Sequence, residues 1–376
     1  MQFAFTNEQR DFRDILRRFF TARSPSTEIR RLMETDQGWE RETWKKLNQE
    51  MGLAGVHVPE AYGGQGFGCV ELGIVLEEMG RALLCSPYFA SAVLATTAIL
   101  NAGTEVQKEA LLPDIVTGDV VATLAFAEDN GRWDADGVTL TAEPSGSGYR
   151  LSGTKAFVLD GHTADLIVVL ARQPGTSGDK GLSFFTVAAD AKGLTRKALK
   201  VLDPTRKLAR LSFDKVEAKL LGEAGAAAAP FAKTMTQAVV CLASEMAGGA
   251  EKLRETSLEY VKLRMQFGRQ LASFQSMKHK HADMLIDVET AKSTAYYAAA
   301  AFDDNAKDLL AVASLAKACC ADAYMQTAIH AIQVRGGIGF TWDEDTHLWF
   351  KRAKSSEVFL GDPSYHRELM LQHWAA

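Results

Sequence analysis

Arg264-Met265-Gln266-Phe267-Gly268-Arg269, followed by Ser273-Phe274-Gln275, is the stretch on which the reading of this chain turns, together with Gln333-Val334-Arg335-Gly336-Gly337-Ile338-Gly339-Phe340-Thr341. The first segment closes a long apolar helical pattern, 231–264. That helix is predicted to end near Phe267-Gly268, because glycine is the usual residue just past a helix C-terminus. Arg264 offers a planar fork of donors suited to a pyrophosphate; a solvated helix arginine is the plain alternative. In the second segment, adjacent Gly336 and Gly337 let a backbone approach a ligand closely and turn N–H groups toward an anion. The run is not a Walker loop, since no Gly-Lys-Ser/Thr follows. Nor is it a Rossmann fingerprint, since a helical pattern precedes it rather than a strand.

Outward from these segments the chain falls into three regions. Residues 1–118 read as a helical domain. Thr6 and Gln9 have capping-box spacing, Phe12, Leu16 and Phe19 recur at helical intervals, and 70–83 and 90–102 are further apolar helical patterns. A glycine-rich turn, Ala61-Tyr62-Gly63-Gly64-Gln65-Gly66, interrupts them. From 119 to 222 the period changes. Segments 121–127, 149–158, 166–171, 182–188 and 208–216 are short, rich in Val, Leu and Phe, and separated by turns such as Pro144-Ser145-Gly146-Ser147-Gly148. This predicts a small antiparallel β-barrel domain, a sandwich being the alternative. After an alanine-rich linker, residues 231–376 carry helical patterns at 231–264, 281–302 and 307–333, and a fourth opening at Asp362-Pro363, which predicts a four-helix bundle. Helices, strands and helices in separate blocks make the fold α+β rather than alternating βαβ.

Arg-x-Gln-Phe-Gly, then Phe-Gln, then Gln-x-x-Gly-Gly-x-Gly-Phe, in this order of regions and after the opening Phe5-Thr6-Asn7-Glu8-Gln9, resembles the acyl-CoA dehydrogenase family over nearly the whole chain. The resemblance implies FAD as cofactor. It implies removal of an α-proton from an acyl-CoA thioester and of a β-hydride by flavin N5, with electron-transfer flavoprotein or a similar carrier as acceptor. Arg264, Gln266 and Phe267 would then reach the FAD of a neighbouring subunit. Gln275, Gln333, Gly336 and Gly337 would contact its AMP and pyrophosphate portion across a dimer. The partner is another copy, in a dimer of dimers, or a paralogue, in a heterotetramer. On the flavin-ring side the matching stretch is Ala127-Glu128-Asp129-Asn130-Gly131-Arg132-Trp133. Ala127 stands in place of a threonine and Trp133 in place of a serine, which leaves the backbone N–H groups of Phe126 and Ala127 for the ring. Phe157-Val158-Leu159-Asp160 matches a motif that packs an aromatic ring and a hydroxyl near the flavin; Phe157 keeps the ring and Leu159 loses the hydroxyl.

The general base is the widest departure from the family pattern. Phe359-Leu360-Gly361 stands where most members have Tyr-Glu-Gly, so leucine replaces the carboxylate, and losing a general base costs ~10²–10⁴ in rate. The alternative family position falls on Ala238, with Val239 in place of an arginine that contacts CoA. Glu245 remains in that helix as the candidate catalytic base if burial raises its pKa beside a flavin. A structural carboxylate paired with an arginine is the competing reading. Asp362 reads as a helix N-cap, His347 as a packed histidine without metal-ligand companions, and Lys351, Arg352 and Lys354 as a solvated or ion-paired face.

Bulk properties narrow the class. Across 376 residues the net charge is −5, which argues against nucleic acid or an anionic membrane as partner, and 47% hydrophobic residues are ordinary for a globular chain. The five cysteines lack Cys-x-x-Cys spacing, so neither a disulfide framework nor a metal site is expected. No apolar h-region opens the chain and no apolar run approaches the ~18 residues needed to span a bilayer, so a cytoplasmic protein is expected. Three functions follow. The first is an FAD-dependent acyl-CoA dehydrogenase with an atypical base, acting on an unusual or bulky acyl-CoA. The second is a partner subunit of an α2β2 acyl-CoA dehydrogenase that completes a paralogue's FAD site. The third is a flavin monooxygenase on the same fold.

Overall fold

Thr6 caps the first helix reciprocally: its Oγ1 accepts the Gln9 N–H at 3.2 Å, and Gln9 Oε1 accepts the Thr6 N–H at 2.9 Å. The computed structural model describes residues 5–146 and 148–374; residues 1–4, Ser147 and 375–376 of the expected regions lie outside it. Helices α1 (Asn7–Arg23), α2 (Ser26–Met33), α3 (Arg41–Gln49), α4 (Cys69–Ala82), α5 (Thr96–Ala102) and α6 (Glu105–Val116) come first. Strands β1 (Ala122–Ala125), β2 (Thr141–Ser145), β3 (Gly148–Leu159), β4 (Leu166–Arg172), β5 (Leu182–Ala188), β6 (Leu194–Ala198) and β7 (Leu208–Leu221) follow. Next come α7 (Ala228–Leu263), the short strands β8 (Met265–Gln266) and β9 (Arg269–Gln270), then α8 (Gln275–Asp303), α9 (Leu309–Arg335), α10 (Thr346–Val358) and α11 (Pro363–Trp374).

By internal packing the chain forms two compact units. One comprises Leu32–Gly68 and Cys85–Ala238 and carries β1–β7. Its sheet corrects the expectation of a purely antiparallel one: β1 runs parallel to β4, with Ala122 opposite Leu166 and Ala125 opposite Val169. The reason is connectivity. The chain leaves β1 and makes the β2–β3 hairpin before returning as β4, a crossover that restores the direction of β1. Elsewhere β3 pairs β7, β4 pairs β5 and β5 pairs β7, all antiparallel, around buried Leu151, Val169, Phe185 and Leu211. The expected loop at 144–148 begins later than its composition suggests. Pro144 and Ser145 belong to β2, where proline is tolerated because β2 meets β4 at one residue pair only, Thr141 with Arg172.

The other unit comprises Met1–Arg31, Cys69–Leu84 and Val239–Ala376. Here α4 and α7 touch backbone to backbone. A Cβ at Gly80 would sit 2.0 Å from the Glu245 carbonyl oxygen, and one at Gly248 1.9 Å from that of Glu77. The expectation of four helices after the strands is corrected by a fifth, α10, whose Thr346, Trp349 and Ala353 are buried at helical spacing. Among the described residues no helix is long and apolar enough to cross a membrane.

Candidate functional site

Helices that flank the first segment reach the second. Lys280, early in α8, donates to Gln333 Oε1 at 2.9 Å near the end of α9, and its Nζ lies 3.0 Å from His330 Nδ1. The Arg335 guanidinium lies over the Tyr260 ring of α7 at 5.4 Å. The expected helix end at Phe267-Gly268 is corrected: α7 stops at Leu263, and β8 and β9 form a hairpin with Phe267-Gly268 at its tip. Their φ values of +54° and +77° are those a two-residue mirror-image turn demands. An aromatic residue in the left-handed region is strained, and at the hairpin tip Phe267 is 88% exposed.

Around this tip the chain leaves donors and space unspent. Arg264, Met265, Gln266 and Arg269 are all exposed. Among the described residues the Arg264 guanidinium has no carboxylate within 4.0 Å. Gln275 Nε2 lies 2.9 Å from His279 Nε2, and Lys280, by occupying Gln333 Oε1, leaves the amide NH2 of Gln333 available. Gly336, at φ +65° and ψ −143°, adopts a backbone only glycine visits freely. Gly337 is different: its φ is unremarkable and no heavy atom lies within 4 Å of where its Cβ would be. Nothing in this chain requires glycine there. Lys280 escaped the sequence reading because only the fold brings it to Gln333, 53 residues on.

In the strand-bearing unit, Phe126 and Ala127 leave the end of β1, both buried. Among the described residues neither N–H has a backbone acceptor, while the Ala127 carbonyl accepts the Ala156 N–H at 2.9 Å. Lys155, wholly buried, donates to the Phe126 carbonyl at 2.9 Å and to Glu128 at 2.8 Å. Burial pushes the Glu128 carboxyl up, but Lys155 and the hydrogen bonds from Thr139 and Leu140 outweigh it and hold Glu128 below the usual carboxylate range. Lys155 was legible in principle: it shares its inward-facing parity in β3 with Leu151. Phe157 sits in a bulge between Lys155 and Val158, at φ +55° and 39% exposed, so the bulge re-aims its ring.

Glu245 is 5% exposed and its Oε1 accepts from Arg352 Nη1 at 2.9 Å. Arg352, on α10, is itself 4% exposed. The carboxylate is thus engaged in a buried ion pair. Ala238 and Val239 are buried apolar residues of the same helix. His347 is buried, with its ring edge-on to Trp342 at 4.8 Å.

Family comparisons cover nearly all of this architecture. Models of the N-terminal, middle and C-terminal domains of acyl-CoA dehydrogenase match residues 6–119, 123–216 and 229–374. The chain belongs to the acyl-CoA dehydrogenase family. One relative, acyl-CoA dehydrogenase IpdE2 of Mycobacterium tuberculosis, is 29% identical over 335 residues, 89% of this chain and 87% of its own. Among solved structures, a Tcur3481–Tcur3483 steroid ACAD variant is 31% identical with a TM-score of 0.86, covering 98% of each chain. A chain of the ChsE4–ChsE5 complex of Mycobacterium tuberculosis is 27% identical with a TM-score of 0.89, covering 100% of this chain and 99% of that one. Acyl-CoA dehydrogenases are oxidoreductases acting on CH–CH bonds, and their cofactor is FAD. An unpaired, exposed guanidinium and an open glycine backbone fit the anionic half of that cofactor, and buried unpaired amides at a strand end fit a polar ring edge.

Leu360, expected from the resemblance to stand in place of the base, is 2% exposed with φ +62°. The loop around it is clamped: Lys317 donates to the carbonyls of Glu357 (3.1 Å) and Gly361 (2.8 Å), and His366 Nε2 lies 2.8 Å from the Leu360 carbonyl. Burial pushes the Lys317 ammonium from 10.5 down to about 8. A base whose folded pKa is depressed binds fewer protons folded than unfolded between those values, so stability rises with pH across that window. The unfolding free energy of the native chain minus that of Lys317→Met is expected to grow by about 2 kcal/mol from pH 8 to pH 10. Urea titrations at both pH values check this; a flat difference would mean that Lys317 keeps its ordinary pKa in the fold.

Proposed function

We propose that this chain is the partner subunit of a heteromeric acyl-CoA dehydrogenase, lending its phosphate-side grip to FAD held chiefly by a paralogous subunit. The observation that carries the reading is the contrast between two sets of residues. Arg264, Gln266, Phe267, Gln333, Gly336 and Gly337 are exposed, with donors and space left over. The positions that would act on an acyl-CoA in this chain are closed: Leu360 is buried and apolar, and Glu245 is engaged with Arg352.

Bound FAD supplies the two-electron acceptor for the dehydrogenation. In this reading Arg264 would neutralise its pyrophosphate, the Gly336-Gly337 backbone would offer N–H groups to its phosphates, and Phe267, Gln275 and Gln333 would help to hold it. The proton-abstracting carboxylate comes from the paralogue, and an electron-transfer flavoprotein or similar carrier reoxidises the assembly. Two of the similar solved structures bear paired protein names, Tcur3481–Tcur3483 and ChsE4–ChsE5, and the first is described as a steroid ACAD. This supports a two-component assembly acting on a bulky, ring-bearing acyl-CoA. A reducing cytoplasm suits the five free thiols.

One observation favours the other reading, a chain active on its own flavin: the unpaired amides of Phe126 and Ala127 are suited to a flavin ring edge. Purification of the chain alone and co-expressed with a paralogue separates the two. The expected result is little flavin absorbance alone, and one FAD per heterodimer with acyl-CoA turnover on an artificial acceptor after co-expression. Full flavin occupancy and turnover by the chain alone would refute the partner-subunit reading.

A further inference from the structure

Trp133 stands where the family resemblance places a serine, and it ends a row of aromatic rings in the strand-bearing unit. Its indole lies 6.0 Å from the Phe126 ring, Phe126 lies 5.7 Å from Phe231, and Phe231 lies 6.4 Å from Phe184. Exposure falls along the row: Trp133 is half-buried, Phe126 is 6% exposed, Phe231 3% and Phe184 0%. Trp133 is therefore the outermost ring, between Phe126 and solvent. It covers the strand end at which the Phe126 and Ala127 N–H groups have no backbone acceptor among the described residues.

The loop that carries Trp133 is braced by other side chains. Arg132 donates to Asp134 at 2.9 and 2.8 Å and to Asp136 at 3.1 Å. Asp134 accepts the Gly137 N–H at 3.2 Å, and Asn130 donates to the Gly137 carbonyl at 2.7 Å. Glu128 accepts the N–H groups of Thr139 and Leu140, each at 2.9 Å. None of these bonds uses the indole, so the loop presents the ring and does not depend on it for its shape.

We propose that Trp133 is a plug supplied by the chain itself: the indole takes the room at the end of β1 that the edge of a planar heteroaromatic ring would otherwise take. The proposal rests on the partner-subunit reading and gives it a cause within this chain. The two amides suit the polar edge of a flavin ring, and a serine at 133 would leave them open to it. Tryptophan closes them off, and the flavin ring is left to the paralogue. The plain alternative is an apolar cover that only completes the packing around Phe126.

The test titrates the full chain, native and as Trp133→Ser and Trp133→Leu, with two probes. Lumiflavin, a flavin ring without phosphates, reports the ring side through quenching of its fluorescence. ADP, followed by calorimetry, reports the phosphate side, whose Arg264 and Gly337 belong to the other unit. Trp133→Ser is expected to bind lumiflavin about tenfold or more tightly than the native chain, the worth of one or two hydrogen bonds to the freed amides. Trp133→Leu, which keeps an apolar cover on Phe126 but is smaller, should gain about threefold, and it carries the test should the serine variant not fold. ADP should bind all three chains alike. No gain in lumiflavin affinity in either folded variant overturns the plug and leaves the partner-subunit reading standing. An ADP affinity that shifts in step with lumiflavin also overturns it, since the substitution then acts by loosening the whole chain. A native chain that carries a full complement of FAD and binds lumiflavin as tightly as Trp133→Ser overturns both.

Discussion

A Glu245→Gln chain is expected to lose about 3–5 kcal/mol of unfolding free energy, seen as a lower urea midpoint at unchanged slope. The amide keeps the shape and one acceptor oxygen but removes the charge opposite Arg352. Both side chains are almost wholly buried and the pair closes at 2.9 Å, so the guanidinium cannot recover its lost countercharge from water. Relaxation is limited as well, because α4 reaches the Glu245 backbone at Gly80, where even a methyl group would clash. Adding Arg352→Met should restore much of the loss, since replacing both members of a buried pair costs far less than orphaning one. A catalytic base behaves in the opposite way: its amide variant keeps its stability and loses ~10²–10⁴ in turnover. Denaturation and turnover of the co-expressed assembly, measured on one preparation, decide between the two. Unchanged stability with lost turnover would restore Glu245 as the base.

The same residue shows where sequence reading reaches its limit. Burial of Glu245 could be expected from its apolar neighbours, but its partner lies 107 positions away on a helix that carried no recognisable pattern of its own. Helical and strand periods report which face turns inward, not which distant side chain it meets. Local chemistry was read correctly where it is self-contained, as in the reciprocal Thr6–Gln9 cap. It misled where two local rules compete. Glycine after a helix suggests a C-cap, and the same Phe267-Gly268 pair became a hairpin tip because four flanking residues pair as strands. β6 escaped because its residues alternate between exposed and half-exposed, which leaves no apolar face to detect. Glycines were the hardest to sort. Gly80, Gly248 and Gly337 are indistinguishable in the sequence, yet the first two are demanded by a helix crossing and the third faces open space.

Arg264→Met is the counterpart to Glu245→Gln, with the effect falling on the cofactor and not on the fold. FAD retention in the assembled enzyme is expected to weaken by about 10- to 100-fold, the loss of one or two charge-assisted hydrogen bonds, while the urea midpoint stays put. The fold has nothing to lose because the hairpin is held by backbone bonds: the Arg264 carbonyl accepts the Leu271 N–H at 2.9 Å and β8 pairs β9, and neither involves the guanidinium. Gly337→Ala should act alike, adding a methyl group to the cradle with no atom of this chain beyond its immediate neighbours within 4 Å. Flavin fluorescence released on dilution, followed beside thermal unfolding, reads both quantities. The proposed assembly adds a sharper requirement. If this chain grips a paralogue's flavin, Arg264→Met made in this chain alone should release FAD from the heteromer, and the equivalent change in the paralogue should do far less. The contrast with Arg352 is physical: both are arginines on or next to long helices, but one has its countercharge inside the chain and the other holds its donors out toward solvent. A variant that lost stability and kept its flavin would place Arg264 in the first class and remove the main support for a shared cofactor site.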